Sequence, residues 1–146
     1  MRFMMLMIPK GYETAAPGTV PDPKAVAAMM KYNESLLKAG VLLALDGLHP
    51  PSMGARVSFS GGKPTVTDGP FTEAKEVIGG YWIIQVKSRE EAIEWASRVP
   101  GSDNEIVEVR QVMEFSDFPD DMKALAREFP ELPAQAGKER KGVTTS

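Results

Sequence analysis

The chain has 146 residues, enough for one domain with one core, and its 42% hydrophobic and 25% charged residues exclude a wholly disordered protein. Its formal net charge of −3 and its pI of about 5.3 show no excess of positive charge that would bind a phosphate backbone, so we expect no nucleic-acid partner. Cysteine is absent, which excludes disulfides, thiolate nucleophiles and cysteine-ligated metals and favours a reducing compartment.

The N-terminal segment, residues 1–8, is apolar but short, and Pro9-Lys10-Gly11 follows it directly. A signal peptide needs a longer apolar region with a small-residue cleavage site, and a membrane span needs about 20 apolar residues. We therefore expect a cytoplasmic protein that makes no membrane contact. A short apolar run that is broken by proline is typical of a buried strand.

A helix and a second strand come next. Asp22 is a good N-cap, Pro23 suits the first helical position, and Gly40 suits a left-handed end of the helix. Residues 41–45 predict a second apolar strand. The pair Pro50-Pro51 must stop this strand, because proline lacks the backbone donor that a sheet needs.

The rest of the pattern is a hairpin, a strand, a helix, a last strand and a short helix. Gly61-Gly62 between two β-prone runs signals the hairpin, and Ser88 with Glu91 indicates a capping box at the start of the helix. The predicted bounds are 56–60 and 63–67 for the hairpin, 81–86 for the next strand, about 88–100 for the helix and 106–113 for the last strand, and the short helix follows Pro119.

Without the hairpin, this order is β-α-β-β-α-β, which predicts an α+β, ferredoxin-like antiparallel sheet with both helices on one face. The strand at 81–84 is apolar on both sides, so the other face needs cover, and a second subunit in a homodimer is the natural cover. We predict a domain over residues 1–115, a helical extension over 116–130 and a flexible tail over 131–146.

One long segment resembles the signature of a known family. It runs Asp68-Gly69-Pro70-Phe71-Thr72-Glu73-Ala74-Lys75-Glu76, Gly79-Gly80-Tyr81-Trp82 follow it, and the stretches 39–42, 47–50, 91–96 and 107–110 fit the same pattern. Over residues 1–114 the chain is similar to the YCII-related, DGPF-type family. The resemblance implies a dimeric α+β barrel with a cleft near the start of the Asp-Gly-Pro-Phe segment.

The resemblance implies no settled activity. Most members of the family are uncharacterised, and some sit beside extracytoplasmic-function sigma factors. Relatives in the wider superfamily include muconolactone isomerase and a dehydrochlorinase of a chlorinated hydroxyquinol, and these enzymes move protons on small cyclic substrates without a cofactor. The YCII proteins proper use a His–Asp pair whose histidine is on the first helix, about where this chain has Met29 and Met30.

His49 and Asp68 are the candidate catalytic residues. Histidine is the side chain whose ordinary pKa, about 6.5, suits proton transfer at neutral pH. Asp68 would orient His49, in a relocated version of the family's pair, or act as a base itself. The alternatives are structural: His49 is an exposed loop residue, and Asp68 forms a turn in which its carboxylate binds backbone N–H groups.

Six further residues are candidates for ligand binding: Asp46, Arg56, Phe71, Lys75, Tyr81 and Trp82. The two cations would bind an anionic substrate and Phe71 would form a pocket wall, although each residue also has an ordinary surface or core role. Tyr81 and Trp82 alternate sides of one strand, so one faces the core and the other the dimer cleft. With one histidine and no cysteine, the sequence predicts neither a metal site nor a cofactor.

Two functions stay open at this point. The first is a cofactor-free enzyme that performs isomerase- or lyase-type acid–base chemistry on a small cyclic or lactone-like substrate. The second is a non-catalytic module that binds a small molecule or a protein partner and is linked to sigma-factor or stress regulation. In the second case the C-terminal extension would contact the partner.

Overall fold

The strands and helices occur in the predicted order, with ends that differ by a few residues. The computed structural model describes residues 1–131, so the predicted flexible tail, apart from residue 131, lies outside the described residues. The strands are β1 (Arg2–Ile8), β2 (Leu42–Gly47), β3 (Ala55–Ser60), β4 (Lys63–Asp68), β5 (Gly80–Gln85) and β6 (Ile106–Gln111), and the helices are α1 (Pro23–Lys38), α2 (Arg89–Ser97) and α3 (Asp120–Leu125).

Four strands form one antiparallel sheet in the order β2-β5-β1-β6. The first strand is therefore central, and its Met5 lies opposite Trp82 on one side and Val109 on the other. This order, with α1 and α2 as the two crossover helices, confirms the predicted ferredoxin-like α+β fold. Among residues 1–131 the remaining two strands, β3 and β4, pair only with each other.

The hydrophobic core lies between this sheet and the two helices. Leu36 of α1 and Ala92 of α2 are fully buried against Phe3, Met5 and Ile84 of the central strands. Because both helices contribute to one cluster with these strand residues, they cover the same face of the sheet.

An aromatic pair joins α1 to the centre of the sheet. The rings of Tyr32 and Trp82 meet edge to face, with centroids 5.7 Å apart. Both polar atoms are satisfied, since the Trp82 indole donates to Asn33 Oδ1 at 2.8 Å and the Tyr32 hydroxyl donates to the Trp95 carbonyl at 2.8 Å. Burial raises the pKa of Tyr32 to about 12.

The predicted helix ends are confirmed in most details. Gly40 takes a left-handed conformation with φ of 72° directly after α1. Ser88 accepts a hydrogen bond from the Glu91 N–H at 3.1 Å, but the Glu91 carboxylate accepts from the Lys87 N–H and not from that of Ser88. The Asp22 side chain makes no capping hydrogen bond, so only its place before Pro23 agrees with the prediction.

The other face of the sheet carries the alternate side chains of the same strands. Met4 and Ile83 lie opposite each other there and are half-buried. At one edge of this face, Arg2 donates to both carboxylate oxygens of Glu114 at 2.6 and 2.9 Å, which fastens the segment after β6 to β1.

The predicted C-terminal helix is α3, whose Met122 and Leu125 are exposed.

Candidate functional site

An open cleft of about 350 Å³ lies between three loops or strand ends: the loop after β2, the start of β3 and the segment between β4 and β5. Its lining combines apolar side chains with one histidine, one arginine and one glutamate. The lining residues are His49, Pro50, Pro51, Met53, Gly54, Arg56, Phe71, Glu76, Val77 and Ile78.

The Asp-Gly-Pro-Phe segment closes against the loop that follows β2. The Gly69 N–H donates to the Gly54 carbonyl at 2.9 Å, and the Gly54 N–H donates to the Pro51 carbonyl at 2.9 Å. A Cβ atom at Gly69 would lie 1.7 Å from the Pro51 carbonyl oxygen, so a side chain at this position requires the backbone to move. The absence of a side chain at Gly69 therefore lets the segment approach the loop and bring Phe71 to the cleft.

The Gly79-Gly80 pair allows a second close approach, at the end of β2. The Leu48 N–H donates to the Gly79 carbonyl at 2.9 Å, and a Cβ atom at Gly80 would lie 2.9 Å from the Asp46 carbonyl oxygen. The Tyr12 hydroxyl also donates to the Leu48 carbonyl, at 2.6 Å. The chain is thus held by backbone contacts immediately before His49.

Three of the predicted site residues come together in this cleft: His49, Arg56 and Phe71. The Arg56 guanidinium lies over the Phe71 ring, with its central carbon 4.0 Å from the ring centroid. This cation–π contact orients the arginine without using its N–H donors. Within the part of the chain that the structure describes, neither the Arg56 nor the His49 side chain has a hydrogen-bond or ion-pair partner.

Asp68 does not line the cleft. It pairs with Ala55 in the hairpin, whereas Arg56 pairs with Thr67, so Asp68 and Arg56 project from opposite faces of the two strands. Its side chain is exposed, and no hydrogen bond or ion pair links it to His49 within residues 1–131. The structure therefore does not bring the proposed His49–Asp68 pair into contact.

The remaining predicted residues lie elsewhere. Tyr81 donates to Asp46 Oδ2 at 2.7 Å on the sheet face opposite the helices, and this hydrogen bond raises the pKa of the Tyr81 phenol. Trp82 is in the core, as the alternation along β5 predicts for one of this pair. Lys75 is exposed on the segment before β5 and is not among the lining residues.

The comparison with protein families agrees with the resemblance seen in the sequence. The model of the YCII-related domain matches residues 1–116. The chain belongs to the YCII-related domain family. It is also similar to an uncharacterised protein of Rhizobium meliloti (strain 1021), with 30% identity over 83 residues, which are 57% of this chain and 67% of that protein. Neither match names an activity.

Met29 of the first helix packs against the core and is not among the residues that line the cleft of this YCII-related chain. Glu76 is a lining residue that was not predicted from the sequence. Glu76 belongs to the signature segment 68–76, but residues 72–79 have no strand or helix period that would indicate which of their side chains line a site.

The helices of residues 1–131 give no indication of a membrane span. None of them combines the length and the apolar character that crossing a bilayer requires. The same described residues contain no group of three or more histidine, cysteine, aspartate or glutamate side chains arranged to hold a metal ion.

Proposed function

We propose that this YCII-related chain binds a small organic anion in its cleft and that His49 transfers a proton to or from the bound molecule. The observation that carries the proposal is the convergence of the single histidine of the chain and an arginine without an ion-pair partner among the described residues on one cleft. Such a combination is typical of sites that hold a charged substrate beside an acid–base group.

Arg56 supports the anionic part of the proposal. Its guanidinium is held over Phe71 while its planar N–H donors stay available, which suits a carboxylate or an enolate oxygen. Pro50, Pro51 and Ile78 provide apolar walls for the rest of the molecule. A volume of about 350 Å³ is at the small end of the usual range for ligand pockets, so the expected ligand is a single ring or a lactone.

His49 supports the catalytic part. A neutral imidazole removes a proton from a carbon next to a carbonyl group, and the imidazolium returns it to another atom, which is an isomerisation. If instead the electron pair expels a leaving group as an anion, the reaction is an elimination. Both reactions conserve atoms and electrons without an oxidant or a reductant, so they suit the cofactor-free chemistry expected from the sequence.

The test measures binding and turnover separately, with lactones and hydroxyquinols that carry a carboxylate group as the compounds screened. We expect His49→Gln to lower turnover by about 10² to 10⁴ while leaving affinity nearly unchanged. We expect Arg56→Gln to weaken binding by about tenfold or more. Lys63→Gln, a charge change at the exposed far end of the hairpin, is the matched control. Turnover that survives His49→Gln overturns the catalytic role of this residue.

A second candidate function rests on the C-terminal extension. Met122, Leu125 and Phe129 are 43%, 53% and 57% exposed, which is unusual for three apolar side chains in one short segment. This exposure favours a non-catalytic module that contacts a protein partner, as in sigma-factor or stress regulation. Deleting residues 117–146 would then abolish partner binding and leave the cleft intact. If the truncated protein turns over a ligand and still binds the partner as the full-length protein does, this second candidate function is contradicted.

We further propose that the chain forms a homodimer in the cytoplasm. The sheet face opposite the helices carries Met4 and Ile83, which one chain leaves only half-buried, and a second copy would cover them. Sedimentation equilibrium tests the assembly, since a dimer is expected at micromolar concentration. Introducing a charge with Ile83→Lys should produce monomers, and a native protein that sediments as a monomer would contradict the proposal.

A further inference from the structure

We propose that Glu76 is a specificity-determining residue of the cleft and that it selects ligands that carry a hydroxyl or amino donor in addition to an anionic group. The inference deepens the proposed function and rests on it, because it concerns the same cleft. It names the class of ligand more closely: a small hydroxy- or amino-substituted acid and not a simple acid or a dianion.

Glu76 is exposed, and the backbone on either side of it is held by its neighbours. Val77, the next residue, is buried with 9% exposure, and the Gly79 N–H donates to the Met7 carbonyl of the central strand at 2.8 Å. On the other side, the Ala74 N–H donates to the Phe71 carbonyl at 3.0 Å and closes a turn. The segment is therefore anchored at both ends, and Glu76 lines the cleft while its neighbours hold the backbone.

Glu76 and Arg56 line the same cleft, yet they do not neutralise each other. In the described part of the chain neither side chain forms an ion pair, although flexible surface pairs such as Glu34 and Lys38 meet at 2.6 Å. Opposite charges that line one cleft without forming an ion pair present separate sites for the two ends of one ligand. An anionic group binds at Arg56, and a hydrogen-bond donor binds at Glu76.

The same arrangement rejects other ligands. A second anionic group near Glu76 is repelled by the like charge of the carboxylate. An apolar group there displaces the water molecules that donate hydrogen bonds to the carboxylate and offers no donor in their place. A ligand that lacks the donor therefore loses more than the one missing bond. Because ligands with and without a donor differ in this way, Glu76 determines specificity. Arg56 has a different role, since it supplies affinity for any acid.

Three probes separate the two roles: benzoate, 3-hydroxybenzoate and 3-methylbenzoate. NMR titration of the full-length protein, followed through the amides of Phe71 and Ile78, gives a dissociation constant for each. We expect 3-hydroxybenzoate to bind about tenfold more tightly than 3-methylbenzoate, which has nearly the same size and no donor. In Glu76→Ala this preference should fall to about twofold or less, while benzoate binds as well as before or better.

Glu73→Ala is the matched control, because Glu73 is an exposed carboxylate on the same segment that does not line the cleft. It should keep the full preference, and the amide spectrum of each variant checks that the fold is retained. A preference that persists in Glu76→Ala overturns the inference. If the acids bind through Arg56 with no preference for the hydroxyl, the inference fails and the anion site stands. If none of the acids binds, the anion site and the inference both fail.

Discussion

The four-stranded sheet and the β3–β4 hairpin are both antiparallel, but they differ in what covers them. In the sheet, Phe3, Met5 and Ile84 are 2%, 0% and 0% exposed beneath two helices. In the hairpin every residue is exposed, including Phe59 at 78%. The sheet therefore provides the buried apolar area that stabilises the fold, and the hairpin provides Arg56, the proposed anion-binding side chain, at the edge of a cleft.

The two faces of the hairpin also differ in polarity. The register pairs Val57 with Val66 on one face and Arg56 with Thr67 on the other. One face is thus apolar and exposed, and the polar face carries the arginine of the cleft. Stability and the proposed function therefore depend on two different regions, and substitutions in each region should have different consequences.

The largest effect on stability is expected in the sheet. Ile84→Ala removes a fully buried side chain from the central strands and leaves a cavity, so we expect the free energy of unfolding to fall by about 2–5 kcal/mol. Urea denaturation measures this loss. Val66→Ala in the hairpin is the matched control and should cost less than about 0.5 kcal/mol, because its side chain is already in water. Equal losses at the two sites would contradict the division between sheet and hairpin.

An intermediate effect is expected where the hairpin joins the rest of the molecule. Gly69→Ala places a methyl group 1.7 Å from the Pro51 carbonyl oxygen, so the loop must move, at a cost of about 1–3 kcal/mol. The amide shifts of residues 49–56 should change with it, and ligand binding should weaken.

Gly47→Ala is the control for this substitution, since a Cβ atom there would have no heavy atom of the described residues within 4 Å and the backbone is not left-handed. We expect the Gly47→Ala protein to keep the native shifts across the loop after β2. If Gly69→Ala also leaves these shifts and the stability unchanged, the close approach at Gly69 does not hold the cleft together.

The fold was predictable from the sequence because its signals are local. Gly40, Ser88 and the Gly61-Gly62 turn each mark an element end by their own chemistry, and the alternation of apolar residues marks the strands. The ferredoxin-like order of the sheet followed from the order of these elements. The homodimer stays a prediction, since it depends on contacts that a single chain does not contain.

The cleft was only partly predictable, for geometric reasons. His49, Arg56 and Phe71 were selected by residue type, and they do converge. Asp68 was selected by the signature, but a two-residue turn sets the hairpin register so that Asp68 lies opposite Ala55, on the other face from Arg56. Glu76 was missed because residues 72–79 have no strand or helix period, so no pattern indicates which of their side chains line a site.

The smallest effect is expected at the tip of the hairpin, and it tests whether the apolar face is free in solution. Phe59 is 78% exposed, so Phe59→Ser should change the free energy of unfolding by less than about 0.5 kcal/mol. Chemical denaturation at two protein concentrations measures this change. A loss above about 1 kcal/mol that grows with protein concentration would mean that another chain covers Phe59. The hairpin would then belong to an interface as well as to the cleft, and stability and function would no longer be divided between the two regions.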